Sequence, residues 1–534
     1  MLTRLNIRTH FPLTSFSLKV SPPLLILILL LLTACERQDP TITAVPSAAV
    51  PDLLATQNAA NNSIVQSPEE TVLPPTPTLA PTITPAPAYP GTPTPDPTRP
   101  GPSAGDVAPH IVAPGETLSY LAQLYNTSVE NLMEANGLTE GDFLEIGQTV
   151  LVPSVAAVVG PNFKLIPDSE LVYGPKAADF NTQNVLASFS GYVLGYQEEV
   201  EGRPLTGPQI IQLVADRFSV NPRLLVALLE YQSGWVTQPA PLDNGYPMGY
   251  VTSGYEGLYQ QLAWAANLVN MGYYGRSEGG LLSFDVGVVQ TVAFAPDIND
   301  GTGGVQLMLG GRPEISYEGW LQAVGPDGFF ATYNRLFGNP FSYTVDPLWP
   351  SDLAQPQLEL PFTNGESWYF TGGPHGGWAG GSAWAALDFA PGTDQLGCYI
   401  SDYWVTAMAP GVVTRSDFGA VVVDLDGDGF AGTGWAILYM HLDSRERVPA
   451  GTYVQTGDRL GHPSCEGGFS NGTHTHLART YNGRWVAADG SLPFEMGGWV
   501  SQGLGREYDG LLVRGDVVKE ACECREEGNT ITAD

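Results

Sequence analysis

Gly472-Thr473-His474-Thr475-His476 lies near the C-terminal end of the chain. On a β-strand, side chains at i and i+2 point to the same face. His474 and His476 would therefore aim two imidazoles into one space. Imidazole is a common zinc ligand, and a second imidazole beside a metal can move protons. Upstream stand Tyr439-Met440-His441-Leu442 and, earlier, His375 and Asp388. Together these supply the side chains for a His-Asp-His zinc site with two further histidines for acid-base work. A metallohydrolase is expected.

The wider histidine distribution points the same way. The chain has seven histidines. His10 falls in the N-terminal segment and His110 in a small separate unit, while the other five lie between 375 and 476. A lone histidine reads most simply as a packed or surface residue, but that reading must account for all five. From about 360 to 500 the pattern is one of short β runs separated by glycine turns. Val421-Val422-Val423 and Trp435-Ala436-Ile437-Leu438-Tyr439 are the clearest of them. An antiparallel β domain is expected there.

This region resembles the lysostaphin-type zinc metallopeptidases of bacterial cell walls. The resemblance rests on Gly373-Pro374-His375, Leu387-Asp388-Phe389-Ala390-Pro391-Gly392, Ala407 to Val413, Tyr439-Met440-His441-Leu442, Gly451 to Gly461 and His474-Thr475-His476. It implies zinc ligation by His375, Asp388 and His476, with His441 and His474 as the catalytic histidines. It further implies a peptidoglycan endopeptidase, with water at the open metal position. One departure stands out. The family usually has three residues between the first His and the Asp, whereas Gly376 to Leu387 intervene here. Gly376-Gly377 and Gly380-Gly381 would let this insert loop out and return Asp388 to the metal. His462, in a glycine-rich loop, reads as peripheral.

The N-terminal third is of another kind. Arg4, Arg8 and Lys19 precede an apolar run from Leu24 to Leu32, which is too short to span a bilayer. The run ends in Leu32-Thr33-Ala34-Cys35, which resembles a bacterial lipobox. The resemblance implies a signal over 1–35, lipidation of Cys35 and an exported chain anchored to the membrane at the cell envelope. Residues 36–108 are mostly Pro, Thr, Ala and Ser, too poor in large apolar groups to fold, and read as a disordered spacer. The formal net charge of −32 argues against a nucleic-acid partner.

Residues 109–154 read as strand, helix, helix, strand. His110-Ile111-Val112, Gly115-Glu116-Thr117-Leu118, Asn136-Gly137 and Ile146-Gly147-Gln148 resemble a LysM module. This implies binding of N-acetylglucosamine-containing glycan by Gly115, Glu116, Thr117, Leu118, Asn136 and Gly137. The same residues could instead only shape the small fold. Between 160 and 350 a mainly helical domain is expected. Thr206 and Gln209 read as a helix start, followed by apolar positions at helical spacing, and Asn221-Pro222 begins a second helix. The end of that helix faintly resembles lytic transglycosylases, in the lysozyme class, but Gln232 occupies the catalytic Glu position. An amide cannot deliver a proton, and Glu230 sits about 200° away round the helix. This domain is expected to hold glycan without cutting it, with Tyr255, Tyr259 and Trp264 as stacking or core residues.

Three smaller features complete the reading. Asp424-Leu425-Asp426-Gly427-Asp428-Gly429 resembles the start of a calcium loop, with Asp424, Asp426 and Asp428 at alternate positions and Gly at the sixth. Position twelve is Trp435 rather than Glu, and a solvated hairpin turn explains Asp-Gly equally well. Cys398 and Cys465 are expected to pair, because both fall in the metal-site region, while Cys522 and Cys524 would pair elsewhere or stay free. Residues 501–534 read as a C-terminal tail. The whole is a multidomain chain with a wall-targeting module and a zinc peptidase domain; the rival reading is a non-catalytic peptidoglycan-binding regulator of other wall hydrolases.

Overall fold

A computed structural model of the chain describes residues 108–534, apart from 113–115, 125–128, 140–143, 145–147, 153–157, 242–244, 279, 288–289, 394 and 469. The signal at 1–35, Cys35, the spacer up to residue 107 and Gly115 lie outside the described residues. Among the described residues no helix is long and apolar enough to cross a membrane.

The first unit pairs β1 (Ala108–Ile111) antiparallel with β2 (Thr149–Val152). Between them lie α1 (Leu118–Leu124) and α2 (Val129–Asn136). In β2 buried and exposed residues alternate, so Val150 and Val152 join Val112, Leu121, Ala122 and Leu132 in a small core. Gly137 ends α2 at φ +65°, a left-handed position that favours glycine.

Five long helices dominate 160–350: α3 (Gly207–Phe218), α4 (Pro222–Ser233), α5 (Leu258–Ser277), α6 (Asp300–Gly310) and α7 (Phe329–Phe337). Thr206 and Asn221 start α3 and α4 as expected, with Thr206 N donating to Gln209 Oε1 and Arg223 N to Asn221 Oδ1.

The C-terminal part is a sheet domain. Its strands are β3 (Ser367–His375), β4 (Ala386–Ala390), β5 (Gly411–Asp417), β6 (Ala420–Asp424), β7 (Trp435–Met440), β8 (Tyr453–Val454) and β9 (Thr475–Tyr481). A short β10 (Arg484–Trp485) pairs with β9. All pairings in this nine-stranded sheet are antiparallel, in the order β8-β5-β6-β7-β9-β4-β3, closed at the far edge by Thr530–Thr532.

The 501–534 stretch is therefore more than a tail. Thr530–Thr532 completes the main sheet, and Gly510–Arg514 and Val517–Glu520 belong to a second, four-stranded sheet. Ile531 and Leu512 are buried in the domain core, which is what holds this segment down.

Strand alternation divides the sheet into two faces. Ile437, Tyr439, Leu477, Leu387, Phe389 and Val421 pack into one core. Leu438, Met440, Ala478, Ala386 and Ala420 face the other way and share a core with the helices of 160–350. Both faces of β7 are thus covered, which explains its uninterrupted apolar sequence. Trp485 N donates to Tyr274 Oη and its ring nitrogen to Phe218 O, tying the sheet to α3 and α5.

Candidate metal centre and catalytic cleft

Strand register assembles the site. His476 of β9 stands opposite Asp388 of β4, and Met440 of β7 stands opposite His476 on the other side. His375 ends β3, which pairs with β4, and Gly372 lies across from Asp388. His441 follows Met440, and His474 precedes β9. His476 and Asp388 have the parity of Ala478 and Ala386, so the histidines lie on the sheet face that packs against the helices.

His375 Nε2 and His476 Nδ1 are 3.0 Å apart, and each is 3.3 Å from Asp388 Oδ1. Zinc bonds of ~2.0–2.1 Å at tetrahedral angles place ligand atoms about 3.3 Å apart, so this triangle has the size of three corners of a zinc sphere. Two imidazole nitrogens and one carboxylate oxygen are also the right donor types. Asp388 Oδ1 is buried and accepts no hydrogen bond of good geometry, even though three imidazoles face it. Such an atom calls for a cation. The residues present therefore fit the metal.

The other nitrogen of each ring is held. His375 Nδ1–H donates to Gly373 O at 2.8 Å, and His476 Nε2–H to Gly377 O at 3.0 Å. These backbone contacts fix the tautomers and leave the opposite nitrogens facing each other. The histidine insert thus has a function in the geometry, since Gly377 within it orients His476. The insert is itself anchored to the helices: Gly381 N donates to Asn267 Oδ1 of α5, and the Trp378 ring lies against Phe218 and the Arg217 guanidinium of α3.

Charge follows geometry. Burial pulls the His375 imidazole down, but the Asp388 carboxylate, helped by Gly373 O and Glu507, outweighs it and leaves the group above its ordinary value. Burial pushes Asp388 up, yet the adjoining His375 and His474 hold its carboxyl well below the usual range. Burial pulls His476 below its ordinary value, with Asp388 opposing.

His441 and His474 stand beside the triangle, their rings 4.4 Å apart. His441 Nδ1–H donates to Glu466 O at 3.1 Å and His474 Nδ1–H to Gly472 O at 2.8 Å. Both Nε2 atoms therefore carry the lone pair, and His474 Nε2 lies 3.7 Å from Asp388 Oδ1. Burial, reinforced by the neighbouring histidines, pushes His441 down to about 3. His441 has φ +63°, a left-handed conformation uncommon outside glycine, and it turns the backbone sharply after β7.

These groups open into a cleft of about 650 Å³. Its walls include Tyr508, whose ring stacks on His375 at 4.2 Å, and Glu201, Arg217 and Tyr259 from the helical part. Tyr259 read in the sequence as a stacking or core residue of the helical domain, and Tyr508, Glu201 and Arg217 carried no signal that they belong to the site. His462 is elsewhere, bonded to Tyr403 O with its ring tilted against Trp404. Asp424, Asp426 and Asp428 form their own cluster in the β6–β7 hairpin, outside the cleft lining.

Disulfides join Cys398 to Cys465, as expected, and Cys522 to Cys524, which corrects the expectation that the latter two pair elsewhere or stay free. Cys398–Cys465 ties the 397–399 loop, which hydrogen-bonds Thr473 at both backbone and side chain, to the segment before His474.

In the small N-terminal unit, the described candidates are engaged in the fold. The Asn136 side chain bonds Leu132 O and both backbone groups of Leu151. Glu116 bonds His110, Thr117 Oγ1 accepts from Tyr120 N, and Leu118 packs against the core. In the helical part, Glu230 accepts from Val236 N and Thr237 N, just past the end of α4, and from Arg335 of α7.

Comparison with known proteins matches residues 110–153 to the LysM domain and residues 164–350 to the N-terminal domain of LasA. Protease LasA of Pseudomonas aeruginosa, from strains UCBPP-PA14 and PAO1, is 28% identical over 293 residues. Over that stretch the chain is similar to Protease LasA. The alignment covers 51% of this chain and 66% of the relative. Among solved structures, the deep-sea M23 metalloprotease pseudoalterin is 27% identical, covering 32% of this chain and 96% of its own, with a TM-score of 0.26. The catalytic domain of lysostaphin from Staphylococcus simulans is 22% identical, covering 23% and 88%, with a TM-score of 0.17.

Proposed function

We propose that the chain is a zinc-dependent endopeptidase that hydrolyses peptide bonds in peptidoglycan, directed to the wall by its LysM domain. The observation that carries this reading is the 3.0–3.3 Å triangle of His375, Asp388 and His476, with its orphaned buried oxygen.

His375, Asp388 and His476 would hold zinc, which when bound supplies Lewis acidity and a readily deprotonated water. The remaining chemistry belongs to the chain. His441 and His474 present unprotonated Nε2 atoms side by side. One accepts the proton of the attacking water and passes it to the leaving amine; the other, having taken a proton from solvent at Nε2, donates it as a hydrogen bond to the oxyanion of the tetrahedral intermediate. Burial keeps His441 neutral across the physiological range in the metal-free protein. The cleft walls orient the peptide and limit water.

The LysM domain raises the local concentration of wall substrate at the cleft by tethering. The lipobox-like Cys35 extends the reading to an exported protein, lipid-anchored at the cell envelope, with the Pro/Thr-rich stretch as spacer. We read the helical domain as a wall of the cleft rather than a second hydrolase, because Gln232 is an amide and Glu230 is occupied.

Metal analysis combined with release of new amino groups from purified peptidoglycan tests the proposal. Stoichiometric zinc and chelator-sensitive release are expected. A non-catalytic wall-binding regulator would release none, and activity surviving His476→Ala would overturn the ligand assignment.

A further inference from the structure

The hairpin between β6 and β7 carries a second constellation of carboxylates. Asp424 ends β6, and Asp426 and Asp428 follow at alternate positions in the turn. One carboxylate oxygen from each lies within 4.8 Å of the others. Acidic groups in a surface turn need no ligand, and Asp426 and Asp428 are exposed. Asp424 is different: it is fully buried. Its Oδ2 accepts from Gly429 N at 2.9 Å, while its Oδ1 is buried without a partner. A carboxylate oxygen withdrawn from water and left unpaired is costly. Among the described residues, no ion pair involves any of the three aspartates.

We propose that Asp424, Asp426 and Asp428 form a calcium site that locks the β6–β7 hairpin. The donors are all hard oxygens, which select calcium over zinc. The spacing gives positions one, three and five, and Gly429 supplies the sharp sixth position at φ +90°. Position twelve is Trp435, so the bidentate carboxylate of the tight sites is absent. The site therefore belongs with weak extracellular modules, at a Kd of about 10⁻⁴–10⁻³ M.

The location gives the ion a role. β7 leads directly into His441, and the hairpin tip docks on the helical part, where Phe430 packs edge-on against Tyr173 at 5.1 Å. A cation at Asp424 fixes both ends of this span. The inference stands apart from the histidine site and from any activity there.

The test uses the whole purified protein, stripped of divalent ions and supplied with zinc. Terbium serves as the luminescent calcium substitute, sensitised through Trp435, the first residue of β7 after the turn. Sensitised emission displaced by millimolar calcium is expected, together with a rise of about 2 °C in melting temperature at 10 mM calcium. Asp426→Asn, at an exposed position, should fold normally and lose both responses. Asp424→Asn provides a second variant, and it should lose them too. The proposal is overturned if the wild type shows neither response, if Asp426→Asn keeps both, or if magnesium acts as strongly as calcium.

Discussion

Gly372→Ala tests the centre without touching a ligand. Gly372 lies across the strand pair from Asp388. A methyl group there would sit 2.7 Å from Asp388 Oδ2 and 3.1 Å from its Cβ. Ordinary contact begins near 3.4 Å, so the carboxylate must retreat by about 0.7 Å. Metal–ligand distances tolerate only about 0.2 Å. The Asp388 bond should therefore be lost or strained, while the strand pair itself accommodates one methyl. Perturbing a group that orients a ligand typically weakens metal binding about 10–100-fold, or about 1.4–2.7 kcal/mol. The assay is zinc retained per chain across a chelator series, with circular dichroism and melting of the metal-loaded protein as fold controls. Gly380→Ala, where a methyl meets nothing within 4 Å, is the matched control. A folded Gly372→Ala protein with an unchanged chelator midpoint would refute the argument that Asp388 is held in place by this close approach.

Other expectations follow from the same geometry. His441→Ala and His474→Ala should each keep zinc and lose about 10²–10⁴-fold in amine release, whereas His476→Ala should lose both, as read by metal analysis beside turnover. Burial holds His441 at about 3 against an ordinary 6.5, so the folded state resists a proton that the unfolded chain accepts. The stability tied to this group is present above pH 6.5 and is lost as pH falls toward 3. Metal-free protein should lose about 2–3 kcal/mol from it between pH 6.5 and 4.5, and His441→Asn should show a shallower decline in urea melts. Trp378→Ala removes a buried ring between Arg217 and Phe218 and should cost about 3–5 kcal/mol; it should also ease zinc loss to chelator, because Gly377 beside it orients His476.

Some of this could be read from the chain and some could not. His474 and His476 were legible because a strand repeats every two residues, so their shared face needed no knowledge of the partner strand. His375 and Asp388 were legible only through their surrounding motifs, since the insert hides their closeness. The insert looked like slack to be looped out; its Gly377 carbonyl instead carries a hydrogen bond from His476, a contact set by register between residues 99 positions apart. Tyr508 and the strands after 510 read as a tail because the segment is short and polar, and its burial depends on an edge strand near residue 370. Tyr259 read as a stacking or core residue of a separate domain, and Arg217 carried no signal of its own. Asn136 was a candidate for sugar contact, yet its amide is fully used by backbone groups, and an amide reads the same in either role. The Asp turn was legible as a pattern, but the burial of Asp424 was not.

The insert that orients His476 also seats Trp378 among the helices, and Trp485 does the same from β10. These apolar groups belong to one continuous interior with α3 and α5. A protease that severed the connecting stretch around residues 344–358 would cut the chain without separating its halves. The two fragments would stay associated until something competed for those tryptophans, and the C-terminal half released on its own would present a sticky, greasy face to its surroundings.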